Sequence, residues 1–201
     1  MSALVLFIAL AYLAGSVPFG VVLARARGVD LRAIGSGNIG ATNAARALGK
    51  KLGGVVFLCD AAKGLLPVLL ARRYAPSLGA TLPLPPDWLV AMVGAAAFLG
   101  HLYPIWLRLR GGKGVATAFG VFLALSPWAA LAAIALFAVL YARWRVSSIG
   151  SLGGATLFVP TLYLLGAPAA YLALAGFTWA LIVWRHRGNI GRLLRHEESR
   201  V

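Results

Sequence analysis

The chain has 201 residues, of which 61% are hydrophobic and only 12% are charged. About a quarter of the residues in a soluble domain are charged, so this composition argues against a water-soluble protein and indicates a membrane protein. The 19 basic and 5 acidic residues give a formal net charge of +14, with histidine neutral. A nucleic-acid-binding protein carries its basic residues on an otherwise polar surface. We therefore expect no nucleic-acid partner.

The long stretches without charged residues predict an all-α, polytopic integral membrane protein, because about 20 apolar residues cross the hydrocarbon core of a bilayer as a helix. No boundary divides the chain, so we expect one domain over residues 1–201. The first 24 residues lack the positive start of a signal peptide and predict a retained span. Seven transmembrane helices, several of them short, are predicted at residues 3–25, 53–73, 88–107, 114–125, 127–143, 149–165 and 168–185.

Residues 114–143 are too long for one straight span and too short for two full ones. Ser126, Pro127 and Trp128 interrupt this stretch, which favours a hairpin of two short helices over one kinked, tilted helix. The positive-inside rule also favours the hairpin. With the N-terminus outside and the C-terminus cytoplasmic, 16 of the 19 basic residues belong to inside segments or the ends of the spans beside them. A single helix would remove that asymmetry.

Two opposite charges fall within the second predicted span, at Asp60 and Lys63. Because a charge inside the membrane is costly without a partner, we predict that they pair. The single cysteine, Cys59, can form no intramolecular disulfide and excludes a multi-cysteine metal site, and we expect neither a metal nor a cofactor. The connection at 74–87 is rich in proline and is predicted to be a stiff outside loop.

The longest predicted inside loop, residues 26–52, contains the first candidate site. Its sequence Gly-Ser-Gly-Asn-Ile-Gly-Ala-Thr-Asn at 35–43 leads into a short helical stretch, 44–48, that Gly49 can end. Glycines permit a tight fold with exposed N–H groups, and a helix N-terminus adds positive charge, so this loop suits an anion such as phosphate. Arg46 lies one turn beyond Thr42 and can point back toward the anion. The alternatives are an ordinary turn, and an arginine that faces lipid headgroups as we expect of Lys50 and Lys51.

The second candidate is Lys113, which lies among glycines at the start of a predicted inside-to-outside span. The spacing of a P-loop is absent, so nucleotide hydrolysis is not expected. Arg108 and Arg110 just before it are interpreted as topological anchors. For Lys113 itself, contact with an anionic substrate is favoured.

Serine and histidine residues complete the set of candidates. Ser147 or Ser148 can cap the sixth predicted span, whereas Ser151 lies one turn further in and shares a face with Ser148, where it serves either ligand contact or helix packing. His186 follows the last span and is either an interfacial helix-end residue or a group that transfers a proton or binds the substrate. His101, near the inside end of the third span, can equally be such a group or a structural histidine, and the tail with His196, Glu197 and Glu198 is interpreted as solvated.

The predicted topology brings these candidates to one side of the membrane. The spans that run outward begin near residues 53, 114 and 149, so the positive ends of their helix dipoles face the cytoplasm together with the candidate loop. The sequence therefore predicts an anion-binding site at the inner membrane interface.

Several motifs, in order along nearly the whole chain, carry a family resemblance. They are Gly-Ser-Val-Pro-Phe-Gly at 15–20, the run at 35–43, His-Leu-Tyr-Pro at 101–104, Gly-Gly-Lys-Gly-Val-Ala-Thr at 111–117, and His186 with Asn189 and Ile190. Together they resemble the bacterial acyl-phosphate-dependent glycerol-3-phosphate acyltransferase family. Tyr103 and Arg110 stand where that family commonly has Phe and Lys, and both keep the character of the side chain.

The resemblance implies a compact seven-helix enzyme of the bacterial cytoplasmic (inner) membrane, surrounded by membrane lipids, with its active site facing the cytoplasm. Such an enzyme transfers an acyl group from acyl phosphate to glycerol 3-phosphate and makes lysophosphatidic acid and phosphate. The resemblance implies catalytic roles for Arg46, Lys113 and His186. It implies substrate binding by Ser36, Gly37, Asn38, Thr42, Asn43, Ser148, Ser151 and Asn189.

The residues fit this chemistry independently of the resemblance. Acyl phosphate is a mixed anhydride with a good leaving group, so no enzyme nucleophile is needed, and Cys59 within a span is unsuited to be one. Arg46, Lys113 and helix N-termini can offset the repulsion of two phosphates. The His-x-x-x-x-Asp motif of another acyltransferase class is absent, so either His186 or the phosphate of glycerol 3-phosphate accepts the proton.

Two other classes of protein agree less well with these residues. An anion or lipid-phosphate transporter typically has inverted repeats with broken helices that meet at the membrane midplane, whereas the candidates here collect at one face. A structural membrane subunit would leave the run at 35–43 and the lysine among glycines unexplained.

Overall fold

The computed structural model describes residues 2–79 and 84–200, and all regular structure in these ranges is helical. The all-α prediction is therefore confirmed. The helices are α1 (Ser2–Ser16), α2 (Phe19–Arg25), α3 (Ala41–Leu48), α4 (Lys50–Gly79), α5 (Pro86–Leu102), α6 (Val115–Leu125), α7 (Pro127–Trp144), α8 (Ser147–Leu164), α9 (Ala169–Arg185) and α10 (Arg187–Leu194).

Length and apolar composition make several of these helices suited to a bilayer. Within the described ranges, four helical stretches are long and apolar enough to cross it: Leu4–Arg25, Lys50–Ala75, Pro86–Leu107 and Pro127–Trp144. Two shorter apolar helices, Val115–Leu125 and Ala169–Arg185, accompany them. Many large apolar side chains, such as Leu58, Val139 and Leu164, are exposed on the outer faces of these helices, as expected of surfaces that contact lipid.

The hairpin predicted over 114–143 is confirmed. Ser126 has an extended backbone and ends α6, and Pro127 begins α7, where its fixed φ and missing N–H are tolerated. The two helices pack against each other, so the alternative of one kinked helix is wrong.

The first predicted span is not one continuous helix, because α1 and α2 are separated at Val17 and Pro18. Pro18 has no N–H to donate to a helical carbonyl, and its ring disfavours helical backbone at Val17. The Val17 carbonyl instead accepts a hydrogen bond from Lys63 Nζ at 2.8 Å. Lys63 Nζ also lies 2.7 Å from Asp60 Oδ1, which confirms the predicted pair, and both side chains are buried. The pair thus neutralises two buried charges, and Lys63 also provides a hydrogen-bond donor for the Val17 carbonyl at the break between α1 and α2.

The predicted loop at 74–87 is shorter in the structure. Helix α4 continues past Pro76 to Gly79, and α5 begins at Pro86. Residues 80–83, which contain Pro83, lie outside the described residues.

Small residues let the long helices approach closely. A Cβ atom added to Gly120 of α6 would lie 1.9 Å from the carbonyl oxygen of Ala61 on α4, and one added to Gly64 would lie 2.3 Å from that of Thr117. Gly15 and Gly100 make equally close contacts between α1 and α5. Because packing of small residues stabilises helix association in lipid, these contacts fix how closely α4 packs against α6 and α1 against α5.

A substitution at the α4–α6 contact tests this packing. We expect Gly120→Ala to lower the free energy of unfolding by about 1–3 kcal/mol, because the added methyl group overlaps backbone that cannot move freely. Gly176→Ala in α9 is the matched control, since nothing lies within 4 Å of its added Cβ. Thermal unfolding in detergent should show a lower melting temperature for the first variant only; equal melting temperatures would contradict the packing assignment.

Candidate active site

A cavity of about 530 Å³ lies among α3, α4, α6, α7 and α8. The junction of α9 and α10 and the C-terminal tail also contribute to its lining, through His186, Asn189 and Glu198. Ten of the eleven predicted site residues line this one cavity: Ser36, Asn38, Thr42, Asn43, Arg46, Lys113, Ser148, Ser151, His186 and Asn189. Residues that are far apart in sequence are thus brought together.

Gly37 is the predicted site residue that does not line the cavity. Its φ of 65° lies in the left-handed region, and an added Cβ would lie 3.1 Å from the carbonyl oxygen of Arg32. Glycine at this position therefore allows the turn of the 35–43 loop. The structure gives it a conformational role.

The side chain of Asn43 holds the 35–43 loop in place. Its Oδ1 accepts a hydrogen bond from the Ser36 N–H at 3.0 Å, and its Nδ2 donates to the Leu31 carbonyl at 2.9 Å. Asn43 is only 1% exposed. Because both ends of the amide bind backbone groups, one within the 35–43 loop and one just before it, Asn43 shapes the wall of the cavity on which Ser36, Thr42 and Arg46 lie.

Positive helix ends converge on the cavity. The first residues of α3 (Ala41 and Thr42), of α6 (Val115 and Ala116) and of α8 (Ser147) line it. The first N–H groups of a helix have no partner within that helix and carry partial positive charge. The capping role considered for Ser147 or Ser148 is wrong, because α8 has Val146 at its N-cap with no side-chain cap.

Lys113 lies at one end of a hydrogen-bonded chain that runs through Asn189 to Glu198. Its Nζ donates to Asn189 Oδ1 at 2.5 Å, and Asn189 Nδ2 donates to Glu198 Oε1 at 2.5 Å. Burial lowers the pKa of Lys113 to about 8; the carboxylate of Glu198 opposes this shift, whereas Arg192, Arg46 and Arg185 add to it. Several cations thus lie close enough to repel one another. Their combined positive potential favours the binding of an anion.

Glu198 is a site residue that the sequence did not reveal. Only 9% of its side chain is exposed, so the prediction of a solvated tail is wrong for this residue, although His196 is exposed. Its carboxylate accepts hydrogen bonds from Ser148 at 3.0 Å and Arg192 at 2.6 Å in addition to that from Asn189. Burial alone would raise the pKa of Glu198, but these three hydrogen bonds outweigh it and hold the pKa below the usual value.

His186 is buried and uncharged at neutral pH. Its Nδ1 lies 2.8 Å from the Ile182 carbonyl. Because that carbonyl can only accept, Nδ1 carries the hydrogen and Nε2 keeps its lone pair. Burial and the charge of Lys113 lower the pKa of His186 to about 4. The imidazole is therefore a hydrogen-bond acceptor here and not a cation.

His101 and Asp60 form part of the cavity lining behind the glycines that precede Lys113. His101 Nδ1 lies 3.6 Å from Asp60 Oδ1, and both residues are buried. Of the two roles left open for His101, the structural one agrees with this placement. Its contact with the charge pair of α4 has no signature in the sequence.

The rest of the cavity is apolar. Phe57 of α4, Phe119 of α6, Phe137 of α7 and Phe158 of α8 line it, each at least one turn from either end of its helix. A polar end at the helix N-termini is thus continuous with an apolar part between the helices. This shape matches an amphipathic molecule with an anionic head.

Comparison with known proteins agrees with this geometry. Residues 5–196 match the family described as glycerol-3-phosphate acyltransferase. The chain belongs to the glycerol-3-phosphate acyltransferase family. A glycerol-3-phosphate acyltransferase from Myxococcus xanthus is 56% identical over 99% of this chain and 98% of its own length, and one from Aquifex aeolicus is 44% identical over the full length of both.

A solved structure extends this assignment to the fold. The crystal structure of PlsY, an integral membrane glycerol 3-phosphate acyltransferase in its glycerol 3-phosphate form, matches with a TM-score of 0.90 and 41% identity over 99% of this chain and 96% of that one. Its lysophosphatidic acid form matches with a TM-score of 0.88. The protein is thus an integral membrane acyltransferase.

Lys113 should give the acyltransferase a basic limit of activity. Lys113 is charged below its pKa of about 8 and neutral above it, so a role that needs the ammonium is lost as the pH rises through about 8. Phosphate groups with a second pKa near 6 have already ionised in this range. The value of kcat/KM for glycerol 3-phosphate, which reports the ionisations of the free enzyme, should fall accordingly, after correction for spontaneous hydrolysis of the acyl donor.

Lys113→Arg is the matched variant for this profile. Guanidinium keeps its charge to beyond about pH 12, so the decline near pH 8 should disappear from the relative profile of this variant. A decline at the same pH in both proteins would show that another group causes it.

Proposed function

We propose that the protein transfers an acyl group from acyl phosphate to the sn-1 hydroxyl of glycerol 3-phosphate, giving lysophosphatidic acid and phosphate, the first acylation of phospholipid synthesis. The observation that carries the proposal is the two-part cavity. Its polar end is formed by Arg46, Lys113 and helix N-termini, and its other part is lined by four phenylalanines. An acyl phosphate has this same division into a doubly charged head and an apolar chain.

The polar end performs the alignment that the reaction requires. Two phosphorylated substrates repel each other, and the repulsion falls when fixed positive groups lie around both. Arg46 on α3 and Lys113 before α6 enter the polar end from different elements, and Ser148 and Ser151 enter from α8. In this proposal they hold the phosphates while the hydroxyl approaches the acyl carbon, with further contacts from Ser36, Asn38, Thr42 and Asn189. Gly37 and Asn43 maintain the loop.

The chemistry needs no nucleophile from the protein. The glycerol oxygen forms a bond to the acyl carbon, the bond from that carbon to the phosphate oxygen breaks, and phosphate leaves. Cys59 does not line the cavity, in keeping with direct transfer. Positive helix ends and Lys113 stabilise the charge that develops on the carbonyl oxygen and on the departing phosphate.

The hydroxyl proton ends on phosphate in the balanced reaction. A general base works best when its pKa lies near the working pH, and the pKa of His186 is about 4. We assign His186 Nε2 the task of accepting a hydrogen bond from the hydroxyl and so directing its oxygen to the acyl carbon. A phosphate group then takes the proton.

Substitution of His186 separates orientation from proton transfer. Glutamine can accept a hydrogen bond near the Nε2 position but cannot act as a base, so His186→Gln should keep at least a tenth of the wild-type kcat. His186→Ala should lose about 10²-fold in kcat, because a reacting group that is no longer oriented costs about this much. The opposite result would be an equally low kcat in both variants, together with loss of a pH dependence of kcat that the wild type shows. That result would identify His186 as the base.

The proposed topology is seven spans, formed by α1 with α2 and by α4 to α9, with the N-terminus outside and the C-terminus in the cytoplasm. Most basic residues then lie inside, in accordance with the positive-inside rule. The cavity's polar end is at the inner ends of α4, α6 and α8, so the active site faces the cytoplasm of a bacterial inner membrane. One domain, residues 1–201, carries the whole site.

The direct test supplies the purified protein in detergent with palmitoyl phosphate and glycerol 3-phosphate. We expect lysophosphatidic acid and phosphate in equal amounts, and no product when palmitoyl-coenzyme A replaces the acyl phosphate. Product from the thioester alone would overturn the donor assignment. If the folded protein makes no product but vesicles that contain it take up glycerol 3-phosphate, the protein is a transporter.

A further inference from the structure

The two residues before Lys113 are held by hydrogen bonds on both sides. The N–H groups of Gly111 and Gly112 donate to the carbonyls of Leu102 and His101, at 3.0 and 3.1 Å. Their own carbonyls accept from Arg185, whose Nη2 lies 2.6 Å from the oxygen of Gly111 and whose Nε lies 3.0 Å from that of Gly112. Four hydrogen bonds thus fix two consecutive residues that have no regular secondary structure.

The same segment is pressed directly against the end of α5. A Cβ added to Gly112 would lie 2.2 Å from His101 Nε2, and one added to Gly111 would lie 2.1 Å from the His101 carbonyl oxygen. Helix α5 therefore supports one side of the backbone, and Arg185 supports the other. The backbone that carries Lys113 lies between them.

Only arginine has the geometry for this contact. Nε and Nη2 of a guanidinium lie in one plane and donate in parallel, so a single side chain can bind two acceptors, as it does with carboxylates. A lysine ammonium is a single point of charge and cannot reproduce the fork. The α9–α10 junction thus contacts the lysine segment twice, through Arg185 at the backbone and through Asn189 at the ammonium.

We propose that Arg185 is a positioning residue for the acyl transfer, a role that rests on the proposed function. Its guanidinium holds the backbone of Gly111 and Gly112 against α5 and so fixes where the ammonium of Lys113 enters the cavity. When a phosphate draws that ammonium away from Asn189, the backbone stays in place. Arg185 is not part of the cavity lining, so it acts through Lys113.

Arg187 provides a matched comparison two residues away. It carries the same charge near the same predicted membrane face, but its guanidinium carbon lies 4.5 Å from the ring centroid of Trp184 and its Nη1 donates to the Trp184 carbonyl at 3.2 Å. It is exposed, as expected of an interfacial anchor. A general effect of positive charge would be lost when either arginine is replaced. The pair of hydrogen bonds from Arg185 to the carbonyls of Gly111 and Gly112, called the clamp below, would be lost only when Arg185 is replaced.

The test compares kcat/KM of Arg185→Ala, Arg185→Lys and Arg187→Ala with palmitoyl phosphate and glycerol 3-phosphate. Loss of the clamp should lower kcat/KM about 10²-fold in Arg185→Ala, because small displacements of a catalytic group are this costly. Millimolar guanidinium should restore part of the activity, Arg185→Lys should remain impaired, and Arg187→Ala should stay within twofold of the wild type. In a Lys113→Ala background, Arg185→Ala should add little further loss.

Hydrogen exchange at the amides of Gly111 and Gly112 gives a reading that needs no substrate. Exchange should quicken in Arg185→Ala and Arg185→Lys and stay unchanged in Arg187→Ala. The proposal would be overturned by wild-type activity in Arg185→Ala or by unchanged hydrogen exchange. It would also be overturned if the loss of kcat/KM in Arg185→Ala added fully to that in Lys113→Ala and guanidinium restored none of it. If Arg185→Ala does not fold, Arg185→Lys decides by the same readings. An inactive wild type would reject the proposed function, while the exchange result would still decide the clamp.

Discussion

Repulsion among cations held at one end of a membrane cavity is the constraint on which the rest of the structure depends. Arg46, Lys113 and Arg192 lie near one another, and burial adds to the cost of the charge on Lys113. The carboxylate of Glu198, which the C-terminal tail carries back into the site, offsets part of this charge and accepts hydrogen bonds from Ser148 and Arg192. The net positive charge that remains favours the binding of an anion.

The fold supplies this site from parts that cannot assemble locally. The 35–43 loop, the lysine segment, the start of α8 and the α9–α10 junction belong to four separate regions of the chain. Close helix contacts at glycines set the distances between these regions, and the buried pair of Asp60 and Lys63 ties α4 to the break between α1 and α2. Rigid surroundings suit the proposed mechanism, in which the protein aligns the substrates and stabilises charge.

The lengths and charges of the segments explain how much could be predicted from the sequence. Charge-poor runs and Pro127 predict α6 and α7 correctly, and the rule that membrane charges need partners predicts the pair of Asp60 and Lys63. Helix ends also follow local signals, since Gly49 ends α3 with a φ of 89°. These features depend on neighbours in sequence or on the cost of burial in lipid.

Contacts between distant segments account for what the sequence did not show. Glu198 reads as part of a solvated tail, because nothing near it indicates that it meets Ser148, fifty residues away. The approach of His101 to Asp60 depends in the same way on how α5 packs against α4. Pro18 is a local signal of the break in the first span. The apolar sequence continues on both sides of Pro18, however, and therefore predicts one continuous span.

Fixed positive charge at the cavity's polar end should bind a phosphate group as its dianion. Phosphorus-31 NMR of glycerol 3-phosphate bound to the protein measures this directly, since the chemical shift reports protonation of the phosphate. We expect the bound phosphate to titrate at a pKa well below its free value of about 6. A bound phosphate with an unchanged or raised pKa would contradict this expectation.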